Sequence, residues 1–240
     1  RQMCIRDRIA TLATDFISEL VREARLDITV GCVQTAYANG ASTAYLTQQN
    51  VPVTCTKTGV KHLHHAAKEY DIGVYFEANG HGTVLFAPRA MVAMGLKSST
   101  NEAPPASTEA LDRLRLLTVL INQTVGDALS DMLLVLVILA ARRWGAAEWD
   151  KCYSDLPNRL TKVSVPDRTL FTTTGAERRL SSPVGIQDKI DELVQRTPQG
   201  RSFVRPSGTE DCVRVYAEAK TAEDAERLAQ AVEYLVKTAA

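Results

Sequence analysis

Two arginines and two hydroxyl side chains surround a short turn in the stretch RPSGTEDCVR near the end of the sequence. Arg205 precedes the turn and Arg214 follows it, and between them stand Pro206, Ser207, Gly208 and Thr209. Guanidinium groups bind phosphate oxygens through converging hydrogen bonds, and successive backbone N–H groups in a turn form a concavity of anion size. The stretch therefore predicts a phosphate site. An ordinary hairpin turn with solvated arginines is the alternative.

A second candidate site lies in the stretch GVYFEANGHGTVLF. An ionised Glu77 can accept hydrogen bonds from hydroxyl groups, and Asn79 can both donate and accept. Asn-Gly is also the strongest short signal for a hairpin turn. Taken alone, these residues favour a hairpin over a binding site.

Three histidines in VKHLHHAA raise the question of a metal site. On a helix only His62 and His65, at positions i and i+3, lie close together. Surface histidines are therefore the better interpretation, and we predict no metal site in this chain.

Composition excludes several classes of protein. The 240 residues include 28 Lys+Arg and 28 Asp+Glu, so no net charge attracts nucleic acid. The five cysteines are scattered without a Cys-x-x-Cys pair, which is typical of reduced thiols in the cytoplasm. The apolar run MLLVLVILAA is shorter than the roughly 20 residues of a membrane-spanning helix, so we expect a helix buried on most sides. No secretory signal is evident, and we expect a cytoplasmic protein without membrane contact.

The hydrophobic pattern predicts two domains. Strands alternate with helices as far as a hairpin over Ile72 to Ala87, which indicates an α/β fold with a mixed sheet and flanking helices. A polar loop over 97–107 and a long helical region broken near Gly126 follow. We expect residues 1–8 to be a truncated or artificial start, 9–160 an α/β domain and 161–240 a small α+β C-terminal domain.

Local patterns predict particular elements within these domains. Apolar residues at helical spacing indicate helices over 9–24, 186–196 and 222–238. Ser42 or Thr43 could cap the second helix, and Thr221 with Asp224 could cap the last one. In CVRVYAEA, alternation places Val213 on a core face and leaves Arg214 facing outward.

Both candidate sites resemble those of a known superfamily. RPSGTED followed by Arg214 is similar to the phosphate-binding loop in the last of the four domains of the α-D-phosphohexomutases. EANGHG resembles the turn of their third domain that binds hexose hydroxyls, in the form found in members acting on N-acetylglucosamine phosphates. The segments VQTAYANGAST, TKTGVKHLHH, TVGDALSDML and YSDLPNR are also similar. The likeness extends from about Ile9 to the end of the chain.

The resemblance implies roles for individual residues. The sugar would be bound by Glu77, Ala78 and Asn79. The phosphate that is not transferred would be held by Arg205, Pro206, Ser207, Gly208, Thr209 and Arg214. Three further residues would approach the substrate, namely Lys61, His62 and His81.

The resemblance also implies an activity to which this chain contributes binding alone. The family interconverts hexose 6-phosphates and 1-phosphates through a hexose bisphosphate intermediate, here as a step towards UDP-N-acetylglucosamine. It uses a phosphoserine loop and a Mg²⁺-binding aspartate loop, and neither motif occurs in this sequence. We therefore expect no catalytic residue here, missing N-terminal domains as partners, and an inactive isolated chain. The alternatives are a fragment of another phosphohexomutase and a stand-alone sugar-phosphate-binding protein.

Overall fold

The computed structural model describes residues 2–77, 81–96 and 108–239, without the side chains of residues 2–6. Its contacts divide the chain into two compact units. The first contains the chain up to Ser154 except Asn39–Ala41 and Thr56–Thr58, which belong with the residues from Asp155 onward to the second. The domain limits predicted from the sequence, with a change between 160 and 161, stay a prediction. The predicted polar loop over 97–107 lies outside the described residues.

The first unit is a four-stranded sheet with helices on both faces. Its strands are β1 (Val30–Thr35), β2 (Val53–Thr56), β3 (Ile72–Phe76) and β4 (Gly82–Phe86). Its helices are α1 (Gln2–Glu23), α2 (Gly40–Gln48), α3 (Val60–Ala67), α4 (Pro88–Ala93), α5 (Glu109–Leu120), α6 (Ala128–Arg142) and α7 (Ala146–Asp150). The strand order is β2-β1-β3-β4, with β1 parallel to β3 and β3 antiparallel to β4. The predicted mixed sheet and its hairpin are confirmed.

The central strands β1 and β3 are buried along their whole length. Every residue of β1 and β3 is buried, as in strands that are covered on both faces. Helices α1, α5 and α6 share one core with one face of the sheet. Leu63 and Ala67 of α3 pack with Val33 and Tyr75 on the other face.

Helix α1 is longer than its apolar spacing predicts. It begins at Gln2, whereas the periodic pattern begins at Ile9. Arg8 is buried and donates hydrogen bonds to the backbone carbonyls of Asp150, at 3.1 Å, and Tyr153, at 2.8 Å. A buried, hydrogen-bonded guanidinium shows that Arg8 is part of the packed fold, which the expectation of an artificial start over 1–8 did not foresee.

The predicted cap of α2 is wrong. Asn39 provides the cap, because its Oδ1 accepts a hydrogen bond from the N–H of Ala41 at 3.0 Å. The side chains of Ser42 and Thr43 instead bind the amide of Gln34, at 3.1 and 2.9 Å. Asparagine competes well for a cap position, and the serine and threonine serve to satisfy a buried amide.

The prediction that α6 is buried on most sides is also wrong. Its buried residues Ser130, Leu134 and Ile138 form one stripe at a spacing of four. Large apolar side chains on the other sides are exposed, namely Leu129, Met132, Leu133, Leu136 and Val137. The helix packs along one stripe only, against α1 and α5, so the apolar composition of the helix does not predict how much of it is buried.

The break predicted near Gly126 is confirmed. None of the described helices combines the length and apolar character needed to cross a membrane.

The second unit has a three-stranded antiparallel sheet, order β5-β9-β8, and a separate hairpin. Its strands are β5 (Asn158–Ser164), β6 (Thr172–Thr174), β7 (Arg179–Ser182), β8 (Arg201–Pro206) and β9 (Cys212–Glu218). A 3-10 turn (Arg168–Leu170) and the helices α8 (Ile186–Gln195) and α9 (Ala222–Ala239) complete it. The predicted helices and the β8–β9 hairpin are confirmed, as is the cap of α9, where Thr221 Oγ1 accepts from Asp224 N at 3.1 Å. The β6–β7 hairpin was not predicted.

The two faces of β9 differ from the simple inside-outside expectation. Val213, Val215 and Ala217 join a core with α9, as predicted. On the opposite face Tyr216 and Glu218 are also buried, and only Arg214 stays partly exposed. Tyr216 stacks on Phe203 with ring centroids 5.2 Å apart. Alternation indicates which side chains share a face, but it does not tell whether that face is covered.

Candidate functional site

Three cations lie in a row across the second unit's sheet. Arg205 of β8 is the register partner of Arg214 of β9, which is in turn the partner of Lys162 of β5. Like charges directly opposite each other destabilise a sheet. The row is therefore a place where anions are strongly favoured.

Carboxylates of the protein pair with two members of the row. Lys162 pairs with Glu210 at 2.9 Å, and Arg205 Nε pairs with Glu177 at 2.9 Å. Arg214 forms no ion pair or side-chain hydrogen bond with any described residue, and it is partly exposed. Its guanidinium is therefore available to an external anion.

The turn between β8 and β9 is ordered by its own serine. Ser207 is buried, and its Oγ accepts from the N–H groups of Thr209, at 3.4 Å, and Glu210, at 3.3 Å. The N–H of Ser207 donates to the carbonyl of Cys212 at 2.9 Å. The loop is thus preformed, with Thr209 exposed at its tip and Pro206 as the last residue of β8.

Gly208 has room that the protein itself does not use. A Cβ at this position would find no heavy atom within 4 Å, and its φ is not in the left-handed region. Neither packing nor backbone conformation therefore requires glycine there. A ligand that approaches the backbone closely would explain why glycine stands at this position.

The hexose-binding half of the prediction lies in the first unit, at the β3–β4 hairpin. Glu77 follows β3 directly and is 5% exposed. Its Oε1 accepts a hydrogen bond from the N–H of Gly59 at 2.8 Å, and its own N–H donates to the carbonyl of His81 at 2.8 Å. One carboxylate oxygen that was expected to serve sugar hydroxyls is thus shared with the N-terminus of α3. Ala78 and Asn79 lie outside the described residues.

A cavity of about 580 Å³ opens beside this hairpin in the first unit. It is lined by Lys61 and His81, two of the predicted residues, and by others that include His64, His65 and Tyr75. His62 is exposed and does not line it. Helix α3 contributes Lys61 to this cavity, and the hairpin contributes His81.

Sequence reasoning missed the pair His64 and Tyr75. His64 Nδ1 lies 3.1 Å from the Tyr75 hydroxyl. Burial, with the nearby charges of Lys68 and His65, holds the pKa of His64 below its ordinary value. In the sequence, Tyr75 is a residue of a predicted strand with no indicated partner. Its hydroxyl lies close to His64 only because α3 packs against β3 in the folded unit.

The described residues contain no group of three or more His, Cys, Asp or Glu side chains arranged to hold a metal ion. The four cysteines whose side chains are described, Cys32, Cys55, Cys152 and Cys212, form no disulfide with one another. Burial raises the pKa of Cys32 to about 12, so that thiol is an inert core residue.

Family models match nearly the whole chain. Residues 6–144 match phosphoacetylglucosamine mutase AMG1, domain III, and residues 160–234 match the phosphoglucomutase/phosphomannomutase C-terminal domain. The chain belongs to the phosphoacetylglucosamine mutase family. The resemblance seen in the motifs is confirmed.

Individual relatives agree with this family. Phosphoacetylglucosamine mutase 1 of Schizosaccharomyces pombe is 52% identical over 96% of this chain and 44% of its own length. The human phosphoacetylglucosamine mutase is 52% identical over 96% of this chain and 42% of its own length. This chain spans less than half the length of these family members.

Solved structures show the same architecture. The Aspergillus fumigatus N-acetylphosphoglucosamine mutase in complex with GlcNAc-6P and magnesium is 52% identical, with a TM-score of 0.90 over 96% of this chain and 46% of that chain. A second structure of an N-acetylglucosamine-phosphate mutase, in its substrate complex, is 51% identical with a TM-score of 0.87 over 96% of this chain and 43% of that chain. The predicted α/β fold class is confirmed.

Proposed function

We propose that this chain is the substrate-binding half of a phosphoacetylglucosamine mutase, which interconverts N-acetylglucosamine 6-phosphate and N-acetylglucosamine 1-phosphate. The observation that carries the proposal is the cation row across β5, β9 and β8, in which Arg214 forms no ion pair with a described residue. A phosphate ester in the turn would relieve the repulsion between Arg205 and Arg214, and it would receive charge-assisted hydrogen bonds.

Each half of the chain has its own part in recognition. In the second unit, Arg205, Arg214 and the turn from Pro206 to Thr209 hold the phosphate that is not being transferred. In the first unit, Glu77, with Ala78 and Asn79, binds sugar hydroxyls, and Lys61 and His81 line the adjoining cavity. His62 is exposed, so a contact with substrate would need the ligand to approach from the side of α3.

The phosphate site has to accept a substrate in two orientations. A mutase that works through a hexose bisphosphate presents first one end and then the other end of the sugar to the reacting group, so the same clamp holds either phosphate. A variant of the Aspergillus fumigatus relative was solved in complex with glucose 1,6-bisphosphate. A multidentate grip of guanidinium and backbone groups suits this task, because it recognises the phosphate and not the position of the ester on the ring.

The sequence contains neither the phosphoserine loop nor the Mg²⁺-binding aspartate loop that the family uses. This chain therefore contributes positioning. Since phosphoryl transfer depends on a nucleophile and on neutralisation of developing charge, the isolated chain is inactive. A cytoplasmic location fits the free thiols.

A chimera tests this proposal. Residues 9–240 replace the corresponding part of the Schizosaccharomyces pombe mutase, and conversion of N-acetylglucosamine 6-phosphate is measured for the chimera and for the isolated chain. The chimera should convert this substrate and the isolated chain should not. The isolated chain should nevertheless bind the sugar phosphate in calorimetry. Glucosamine, glucose and mannose 6-phosphates are compared in the same assay, and a preference for one of them would reassign the chain to another phosphohexomutase. A folded but inactive chimera would leave a sugar-phosphate-binding protein as the better interpretation.

A further inference from the structure

Glu177 occupies a turn with an unusual backbone. Between β6 and β7, three successive residues have left-handed φ angles, Gly175 at 59°, Ala176 at 61° and Glu177 at 63°. Residues other than glycine rarely adopt this conformation, which costs on the order of 1 kcal/mol or more for each. Such a backbone persists when surrounding contacts hold it. Here they include the hydrogen bond from Arg178 Nε to the carbonyl of Gly175, at 3.0 Å, and the contacts of the Glu177 carboxylate.

One carboxylate oxygen of Glu177 has three close partners. It accepts hydrogen bonds from the N–H of Thr58 at 2.9 Å and from Thr58 Oγ1 at 2.7 Å, and it forms an ion pair with Arg205 Nε at 2.9 Å. Both charged side chains are largely buried, with 15% of Glu177 and 19% of Arg205 exposed. Burial raises the pKa of Glu177, but the hydrogen bonds from Thr58 and the interaction with Arg205 outweigh it, so the pKa lies below its ordinary value.

This ion pair differs from the other one in the cation row. Lys162 and Glu210 are each about half exposed, and exposed pairs contribute little fixed geometry. The Arg205–Glu177 pair joins a planar guanidinium to a carboxylate that is itself held by two donors of Thr58. A close anionic contact at Nε restricts the rotation of the planar group, so Glu177 contributes to the orientation in which Arg205 stands opposite Arg214.

We propose that Glu177 is a positioning residue of the phosphate site, which orients Arg205 for the phosphate ester and is itself held by Thr58. The inference rests on the proposed function of that site. It assigns a role to an acidic residue placed next to an anion site, where charge alone would oppose binding.

The two possible roles of Glu177 predict opposite changes in ligand affinity when its charge is removed. Binding of inorganic phosphate and of N-acetylglucosamine 6-phosphate to this chain is measured by calorimetry, for the wild type and for Glu177→Gln. If Glu177 were only a competing anion, its neutralisation would tighten both complexes. As a positioning residue it should instead weaken both, by roughly tenfold, since Arg205 loses the charged contact that aligns it.

A double-mutant cycle separates positioning from general stability. In an Arg205→Ala background the effect of Glu177→Gln should vanish, because Glu177 acts through that guanidinium. Thr58→Val removes only the hydroxyl that holds Glu177, and it should weaken binding by about two- to threefold, so it serves if the Gln variant does not fold. The matched control is Glu226→Gln, which breaks an arginine–carboxylate pair with Arg159 and should leave both affinities unchanged.

The outcomes distinguish this inference from the proposed function. Equal or tighter binding by Glu177→Gln, in a chain whose wild type binds the sugar phosphate, overturns the positioning role and leaves the proposed function intact. The same weakening in the Arg205→Ala background would also overturn it, since Glu177 would then act by another route. A wild-type chain that binds neither phosphate nor sugar phosphate, together with an inactive chimera, overturns both.

Discussion

Arg214 combines a stability cost with a role in binding. It stands opposite Arg205 on one side and Lys162 on the other, and it forms no ion pair with a described residue. Such a residue should disfavour the fold slightly in the absence of ligand and favour the bound state strongly. The two effects have opposite signs, and both can be measured.

We predict that Arg214→Ala weakens binding of N-acetylglucosamine 6-phosphate by tenfold or more, because a charge-assisted hydrogen bond contributes about 1.5–3 kcal/mol. The same change should raise the free energy of unfolding in phosphate-free buffer by a few tenths of a kcal/mol, since the cross-strand repulsion disappears. Calorimetry and urea denaturation measure the two quantities. Arg227→Ala on α9 is the control, because that exposed arginine pairs within its own helix. An unchanged affinity for Arg214→Ala would contradict its role.

At this scale the sequence predicted residue types better than partners. RPSGT and the following arginine predict an anion site from the sequence alone, because the expected donors lie within one hairpin. Glu177 could not be found in this way, since its partners Arg205 and Thr58 are distant in the chain and meet it only in the folded unit. Glu218 is a similar case. It shares a face of β9 with Arg214, but it is 1% exposed and accepts hydrogen bonds from Arg201 at 2.7 and 3.0 Å.

Among the elements, α3 and the β3–β4 hairpin are joined through one backbone group. Gly59 precedes α3 with a φ of 128°, a conformation open essentially to glycine, and its N–H is held by Glu77. The start of α3 and the carboxylate expected to bind the sugar are thus positioned by the same hydrogen bond. Glycine is needed here for its backbone and not for space, because a Cβ would meet only His62, at 3.4 Å.

We predict that Gly59→Ala destabilises the first unit by about 1–3 kcal/mol, the typical cost of a strained φ in a non-glycine residue. It should also weaken N-acetylglucosamine 6-phosphate binding more than inorganic phosphate binding, because it disturbs Glu77 and leaves the phosphate turn untouched. Thermal unfolding and calorimetry with the two ligands measure these effects. Gly208→Ala provides a comparison in which stability should not change, since a Cβ there has open space. Equal losses for both ligands would place Glu77 outside sugar recognition.

The sequence predicted a helix or strand correctly where its hydrophobic pattern is long. It did not predict how much of each element is buried. The helical spacing from Ile9 and the alternation in β8 and β9 predicted the right elements. The run MLLVLVILAA predicted a helix, but the burial of α6 depends on how many neighbours pack against it. Strands β6 and β7 have only three and four residues, which is too short for a clear period.

The molecule as a whole consists of two units with separate cores, and the pKa values of several carboxylates in them are shifted. In the second unit, the pKa values of Glu177, Glu210, Asp224 and Glu226 are held below their ordinary range by hydrogen bonds and neighbouring cations. These groups stabilise the fold above about pH 4.5, and the contribution is lost as the pH falls below that value. In the first unit, burial and the charge of Asp127 raise the pKa of Asp131 to about 6.

Asp131 therefore lowers stability at neutral pH, and its replacement should reverse this. Its folded pKa lies above the unfolded value of 3.8, so the folded state binds the extra proton and the cost of ionisation grows as the pH rises from about 4 through 6. We predict that Asp131→Asn raises the free energy of unfolding of the first unit at pH 7.5 by about 1 kcal/mol, after allowance for solvent screening, and has almost no effect at pH 4. Both tryptophans, Trp144 and Trp149, lie in the first unit, so urea denaturation followed by their fluorescence reports on it alone. Glu69→Gln, which changes an exposed carboxylate, should show no such pH dependence. A gain for Asp131→Asn that is equal at both pH values would mean that the asparagine improves packing and that the carboxyl is not the cause.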